Sequence, residues 1–182
     1  MKSETVVLAG GCFWCIEAVF KRLKGVESVI SGYAGEGKDN PTYEEVSTGN
    51  SGYTEALKIH FDPEIISFQK ILDVFWAVHD PTTLNQQGSD IGPQYRSVIF
   101  YANQEQKEAA EDSKKHLQES GKYKGEIVTA IEPLKHFYEA EENHRDFYDR
   151  NRDYGYCRLV IDPKITKLYK DFKEDLKEEY SS

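Results

Sequence analysis

TVVLAGGCFWCIEAVFKRLKG, Thr5 to Gly25, is the stretch on which the fold turns. Thr5 to Ala9 is a short apolar run suited to a central strand, and Gly10 and Gly11 interrupt it. Phe13, Ile16, Val19, Phe20 and Leu23 then recur at helical spacing until Gly25 ends the pattern. A strand that passes into a helix through two glycines leaves Cys12 beside the free amide hydrogens of the first turn. A thiol so placed is expected below its usual pKa of about 8.5, hence a thiolate nucleophile near neutral pH.

Outward from this unit, Val26 to Tyr33 reads as a second strand, Ala34 to Gly52 as a long polar loop, and Tyr53 to Phe61 as a third strand. Ser67 is placed to cap a helix whose Phe68, Ile71, Leu72, Phe75 and Val78 share one face. His79 to Gln94 has no periodicity and is expected as a loop, with a fourth strand over Tyr95 to Tyr101. Asn103 and Gln106 predict the start of a polar helix ending near Gly121, followed by a strand over Glu126 to Ile131. His136 to Asn151 is expected to be largely helical, Tyr154 to Ile161 extended or irregular, and Ile165, Leu168, Tyr169, Phe172 and Leu176 form the stripe of a last helix.

This order fits a split β-α-β unit, with strands one and two parallel and strand three antiparallel between them. In that topology the loop after strand two and the loop before strand four both reach the edge that carries Cys12. Each exceeds the roughly 12 to 15 residues tolerated without a functional reason. Alternation along strand three puts Glu55 on the face of Leu57, Ile59 and Phe61. A carboxyl buried there is expected above its usual pKa of about 4.3, able to keep a proton and give it to a substrate oxygen.

At 182 residues and 38% hydrophobic, the chain is expected to be one domain with a core of its own. Thirty-two acidic against 23 basic residues give a net charge of -9, which speaks against a nucleic-acid backbone as partner. The start is too short and too soon interrupted for a secretory signal, and no run approaches the ~20 apolar residues of a membrane span. A cytoplasmic, monomeric protein is expected. The three cysteines do not make an extracellular disulfide framework, whereas Cys12 and Cys15 have redox or metal-binding spacing.

Cys15 reads either as a thiol that resolves an oxidised Cys12 or as a core residue, and Cys157 as a recycling thiol or as packing. Phe13 and Trp14 suit a core or the walls of an apolar pocket, with Trp14 the better pocket candidate. Tyr43 and Tyr95 offer hydroxyl donors, and Asp90 either caps the turn at Ile91-Gly92 or orients the site. Two other readings compete. Zinc on Cys12, Cys15, Cys157 and His144 or His136 suffers from irregular spacing in the second half. A thioredoxin-like dithiol exchanger lacks the Gly-Pro expected between its cysteines. Gly32, Gly35 and Gly37 do not match a nucleotide-binding loop.

Gly11-Cys12-Phe13-Trp14, the Gly35 to Tyr43 loop, Gly52 to Glu55, His79 to Asn85, Asp90 to Ser97, Phe137 to Glu141 with His144, and Gly155-Tyr156-Cys157 together resemble the A-type peptide methionine sulfoxide reductases. The resemblance runs from about Thr5 to Ile161. It implies a two-layer α/β (α+β) sandwich, with a ferredoxin-like core, a mixed sheet and C-terminal additions. It also implies Cys12 as catalytic cysteine, Phe13 and Trp14 as the pocket for the substrate's ε-methyl group, and Glu55 as proton donor. Tyr43 and Tyr95 match the sulfoxide-oxygen donors, Asp90 a supporting carboxylate and Cys157 a recycling cysteine.

The implied reaction repairs methionine S-sulfoxide, free or in oxidised proteins, through a sulfenic acid and a disulfide that thioredoxin or a similar dithiol reduces. It uses no metal and no organic cofactor. The chain departs from the family where Cys15 replaces a glycine, Tyr53-Thr54 replaces His-Ala, and Pro93 replaces threonine. Asn143-His144-Arg145 stands where Tyr-His-Gln is common.

Overall fold

A computed structural model describes residues 2–181 of the chain. The strand and helix of the opening stretch are β1 (Glu4–Ala9) and α1 (Phe13–Phe20), followed by β2 (Val26–Gly35), α2 (Tyr43–Ser47) and β3 (Tyr53–Phe61). Next come α3 (Phe68–Val78), the short strands β4 (Gln86–Gln87) and β5 (Asp90–Ile91), β6 (Val98–Tyr101) and α4 (Gln104–Glu119). The chain closes with β7 (Ala130–Pro133), β8 (His136–Glu139), α5 (Phe147–Arg150) and α6 (Asp162–Asp171).

Six strands form one mixed sheet in the order β7-β6-β1-β3-β2-β8, while β4 and β5 make a separate two-stranded ribbon. β3 pairs antiparallel with both β1 and β2, as the split β-α-β reading requires, and β6 joins the free edge of β1. Among the described residues only β6 and β7 pair in parallel. Alternation sorts the side chains into two layers. Leu8, Leu57, Ile59 and Ile99 meet α1 and α3 in the main core, whereas Val7, Ala9, Ala56 and Phe100 form a smaller cluster on the opposite face. Among the described residues no helix is long and apolar enough to cross a membrane.

Several local expectations are corrected. Tyr95 does not begin a strand: Pro93–Tyr95 is a tight 3-10 turn, because Pro93 fixes its φ and lacks an amide hydrogen, and the strand starts at Val98. The strand expected over 126–131 starts at Ala130, since the Ile127 and Val128 amides are taken by Gln118 Oε1 and the Pro81 carbonyl. His136 to Asn151 is not largely helical. Its first four residues alternate and extend the sheet along β2, leaving only a 3-10 turn at Glu142–His144 and the four-residue α5.

Residues 154–161 are not extended either. Cys157–Ile161 forms a wide helical turn that runs into α6, and Cys157, Ile161, Ile165 and Leu168 line its buried side. The loop after β2 contains α2, capped by Thr42, whose hydroxyl accepts the Glu45 amide while Glu45 accepts the Thr42 amide.

At the far end of α1 the Arg22 side chain is fully buried. It donates to Asp149 Oδ1 at 2.6 Å and to the Ala18 carbonyl at 2.7 Å, and its guanidinium stacks over Tyr180 at 4.6 Å. Lys21 adds a bond to Asp149 Oδ2 at 2.7 Å. Burial opposes ionisation of Asp149, but these cations outweigh it and hold the carboxyl at about 2. Replacing Asp149 with Asn should therefore strip a buried cation of its partner. The expected cost is about 3 kcal/mol, at the low end for such a loss because Asp149 keeps 23% side-chain exposure. Urea unfolding should give a lower midpoint with an unchanged slope. An unchanged midpoint would mean that the Ala18 carbonyl and the Tyr169 hydroxyl, which accepts from Arg22 Nε at 3.4 Å, suffice for Arg22.

Candidate active site

Cys12 is the residue that caps the start of α1, and the Cys15 amide donates back to its carbonyl at 3.1 Å. The turn that brings the chain there needs Gly11, whose φ of +93° suits glycine and whose missing Cβ would lie 2.7 Å from Gln87 Cγ. The absence of a side chain lets Gln87 of the 79–94 loop pack against the residue that precedes the thiol. From β3, Glu55 reaches the same helix start and accepts the Phe13 amide at 2.9 Å. It is 2% exposed, on the face that the alternation predicted.

Burial is the main reason that the Glu55 carboxyl is pushed up to about 8, overcoming the Phe13 hydrogen bond. It is therefore neutral at pH 7. The expected Cys12 thiolate is corrected. Burial, then the neighbouring Cys15 thiol and Glu55, push the Cys12 thiol well above its ordinary value. The Phe13 amide, a donor suited to a thiolate, is occupied by the carboxyl, and desolvation prevails. Cys15 shifts down, chiefly because Cys12 donates a hydrogen bond to it. In the resting site Cys12 keeps its proton.

The two phenols expected nearby are both half-buried, and burial followed by the Glu55 and Cys12 charges raises each of them. Tyr43 stacks on Phe13 with ring centroids 6.4 Å apart. Asp90 is joined to this group through Tyr156, whose hydroxyl donates to Asp90 Oδ2 at 2.6 Å and lies 3.6 Å from Cys15 Sγ. Phe13 is wholly buried and Trp14 partly so. Phe147 stacks on Trp14 at 3.6 Å and covers one face of the indole, leaving less of the ring free than the sequence suggested.

Cys157 is fully buried inside its helical turn, contrary to the extended or irregular segment expected. Burial and then the charge of Cys15 raise its pKa, so it lies in the electrostatic range of Cys15. Among the described residues no three His, Cys, Asp or Glu side chains are grouped so as to hold a metal ion. A groove of about 780 Å³ between α4 and β7, lined by Lys114, Gln118, Ile127 and Thr129, contains none of these thiols. Chemistry, not cavity size, locates the site.

Sequence reasoning gave no site role to Tyr156, Phe147 or Glu141, and weighed His144 only as a zinc ligand, a grouping that the described residues do not form. Tyr156, Glu141 and His144 stand in the motifs that carried the resemblance, which was their only signal. Their contacts come from the fold: Trp14 Nε1 donates to His144 Nδ1 at 3.1 Å across 130 positions of sequence.

The peptide methionine sulfoxide reductase family profile matches residues 4–176. A peptide methionine sulfoxide reductase MsrA from Sulfolobus acidocaldarius is 51% identical over 172 residues, covering 94% of this chain and 96% of that protein. Among solved structures, Mxr1 from Saccharomyces cerevisiae in reduced form superposes with a TM-score of 0.80 at 35% identity, covering 86% of this chain and 90% of that one. Mxr1 in complex with Trx2 matches with a TM-score of 0.57 at 26% identity, covering 80% of this chain and 85% of that one.

The raised carboxyl pKa has a consequence for stability. Between about 4.5 and 8 the folded chain holds the Glu55 proton more tightly than the unfolded chain does, so stability falls as pH rises through that window. Glu17, pushed up to about 7 mainly by burial, contributes with the same sign. Glu55→Gln should flatten the fall seen by urea denaturation at a series of pH values, leaving the Glu17 contribution. Identical profiles for the two proteins would contradict the neutral carboxyl.

Proposed function

Because the chain belongs to the peptide methionine sulfoxide reductase family and reduces methionine sulfoxide with a catalytic cysteine, we propose that Cys12 is that cysteine and Glu55 its acid. The observation that carries this reading is the buried carboxyl, neutral near pH 7, facing the Cys12 sulfur at the start of α1. Cys12 sulfur attacks the sulfoxide sulfur as Glu55 gives its proton to the sulfoxide oxygen, and the thiol proton returns to the carboxylate. The S–O bond then breaks with transfer of the hydroxyl to Cys12. Thiol and sulfoxide become sulfenic acid and thioether, with no net proton gained or lost.

Tyr43 and Tyr95 donate hydrogen bonds to the developing oxygen charge, and their raised pKa values keep those hydroxyls protonated. Phe13 and Trp14 receive the methyl group in an apolar recess. Asp90 acts through Tyr156 to orient the rim.

Cys15 is one helical turn from Cys12 and in hydrogen-bond reach of it, which favours a first disulfide between these two, formed with loss of water. Cys157 then exchanges with Cys15 and frees Cys12. The reductant is a dithiol protein of the thioredoxin type, a reading supported by the solved complex of Mxr1 with Trx2. The substrate is the S epimer, free or in a protein. The 182 residues work as one catalytic domain, a monomer in the cytoplasm, where such thiols are kept reduced.

Glu55→Gln should still bind sulfoxide but form methionine about 10²- to 10⁴-fold more slowly in a single turnover. Resolved R and S dabsyl-methionine sulfoxides should be told apart by the unaltered protein, with only S consumed. An unchanged rate in the variant would remove Glu55 from the mechanism. For the thiols, peptide mapping after one equivalent of sulfoxide without reductant should find Cys12 linked to Cys15. Cys157→Ser should leave this link intact and slow only thioredoxin-supported turnover. A first link from Cys12 to Cys157 would reverse the proposed order.

A further inference from the structure

Behind the aromatic wall lies a hydrogen-bonded pair that the reaction as written does not use. Trp14 Nε1 is a donor only, so the His144 Nδ1 that it meets at 3.1 Å must be an unprotonated acceptor. The imidazole proton is thereby confined to Nε2, which faces Glu141 Oε2 at 3.6 Å. That carboxylate is itself tied down, with Oε2 accepting the Tyr33 hydroxyl at 2.8 Å and Oε1 accepting the Tyr43 amide at 3.1 Å. The His144 ring is 5% exposed and packs 4.4 Å from Tyr43, 5.2 Å from Phe13 and 5.8 Å from Trp14, centroid to centroid.

We propose that Glu141 and His144 are a positioning pair for sulfoxide reduction: His144 accepts the Trp14 indole N–H, and Glu141 faces the imidazole Nε2 while accepting the Tyr43 amide in the first turn of α2, so that one device sets the Trp14 wall and the Tyr43 phenol together. The proposal rests on the reading that Trp14 and Tyr43 meet the substrate. Its physical basis is that a rotamer locked by a second partner needs no reorganisation when substrate arrives. A single carboxylate bridges β2, α2 and the turn that contains His144, and through His144 it reaches α1.

Burial keeps the His144 imidazole below its ordinary value, opposed by Glu141, so it is neutral at pH 7. Burial also opposes ionisation of Glu141, but donation from Tyr33 and from backbone amides prevails and holds that carboxyl low. The other groups facing His144 are the Tyr43 phenol from α2 and the rings of Phe13 and Trp14 from α1, none of which ionises in acid. Protonation of Nδ1 abolishes the acceptor and releases the indole.

The test uses the full chain with its two tryptophans labelled with ¹⁵N in the indole. Trp76 donates to Ser113 Oγ at 2.8 Å and serves as an internal reference. The Trp14 indole resonance should shift on acidification with a midpoint below the ordinary histidine value of about 6.5, while that of Trp76 stays still. Glu141→Gln should move this midpoint lower, and His144→Asn, which keeps an acceptor oxygen near the Nδ1 position, should abolish it. In kinetics, His144→Ala should raise KM for the sulfoxide about 3- to 10-fold, with the saturating single-turnover rate within about twofold, and His144→Asn should recover part of the loss.

A Trp14 resonance that ignores both pH and His144 overturns the pair. A resonance that behaves as described with unchanged KM in His144→Ala and His144→Asn overturns positioning. If Trp14→Phe then also keeps its KM, the error lies in assigning Trp14 to the substrate and not in the hydrogen bonds.

Discussion

The bond from the Phe13 amide to the Glu55 carboxyl is the point on which the rest of the structure depends. It joins the first turn of α1 to the central strand of the sheet, satisfies a helix-end donor that has no partner within the helix, and fixes Cys12 against a group able to supply a proton. The same bond explains the reversed ionisation of the thiols. An amide given to a neutral carboxyl is not available to a thiolate, and burial of Cys12 then keeps its proton in place. The resting site holds its proton on the sulfur and on the acid together, which suits a reaction that consumes no net proton.

Around this bond the site is assembled from both ends of the chain. Cys12 to Trp14 come from the β1–α1 junction, while Glu141, His144, Phe147 and Tyr156 come from the C-terminal third. The aromatic stack of Trp14 on Phe147, the hydrogen bond to His144 and the cluster of Lys21 and Arg22 on Asp149 attach the two parts along the length of α1. Charge near the far end of the helix and aromatic contact at its start fasten the two parts at opposite ends of α1.

Much of this was legible wherever the signal was periodic. The spacing of Phe13, Ile16, Val19 and Phe20 gave α1, and alternation along Tyr53 to Phe61 predicted the burial of Glu55. Ser67 and Asn103 marked helix starts, and each side chain does accept an amide hydrogen there. What failed lacked a local cause. His136 to Glu139 becomes a strand because the edge of β2 offers it partners, and Cys157 is helical because the turn before α6 is buried against the core. The Cys12 ionisation could not be read because it depends on Glu55, 43 positions away, occupying a donor that a local argument counts as free. Thr42 and Glu45, by contrast, were a visible capping signal inside a stretch read as loop.

Pinning α1 at both ends also determines where the molecule deforms during its redox cycle. The helix cannot slide, since Arg22 and Lys21 hold its last turn and Glu55 holds its first. Joining two sulfurs one turn apart therefore demands little travel of the backbone. In the exchange proposed above, handing that linkage on to Cys157 does demand it, because this sulfur is enclosed in a helical turn whose outer side presents Leu159, 80% exposed, to solvent. If Cys157 takes part as proposed, that turn must loosen to present its sulfur, so the yielding element is the one that leads into α6 while α1 stays where Glu55 and Asp149 hold it.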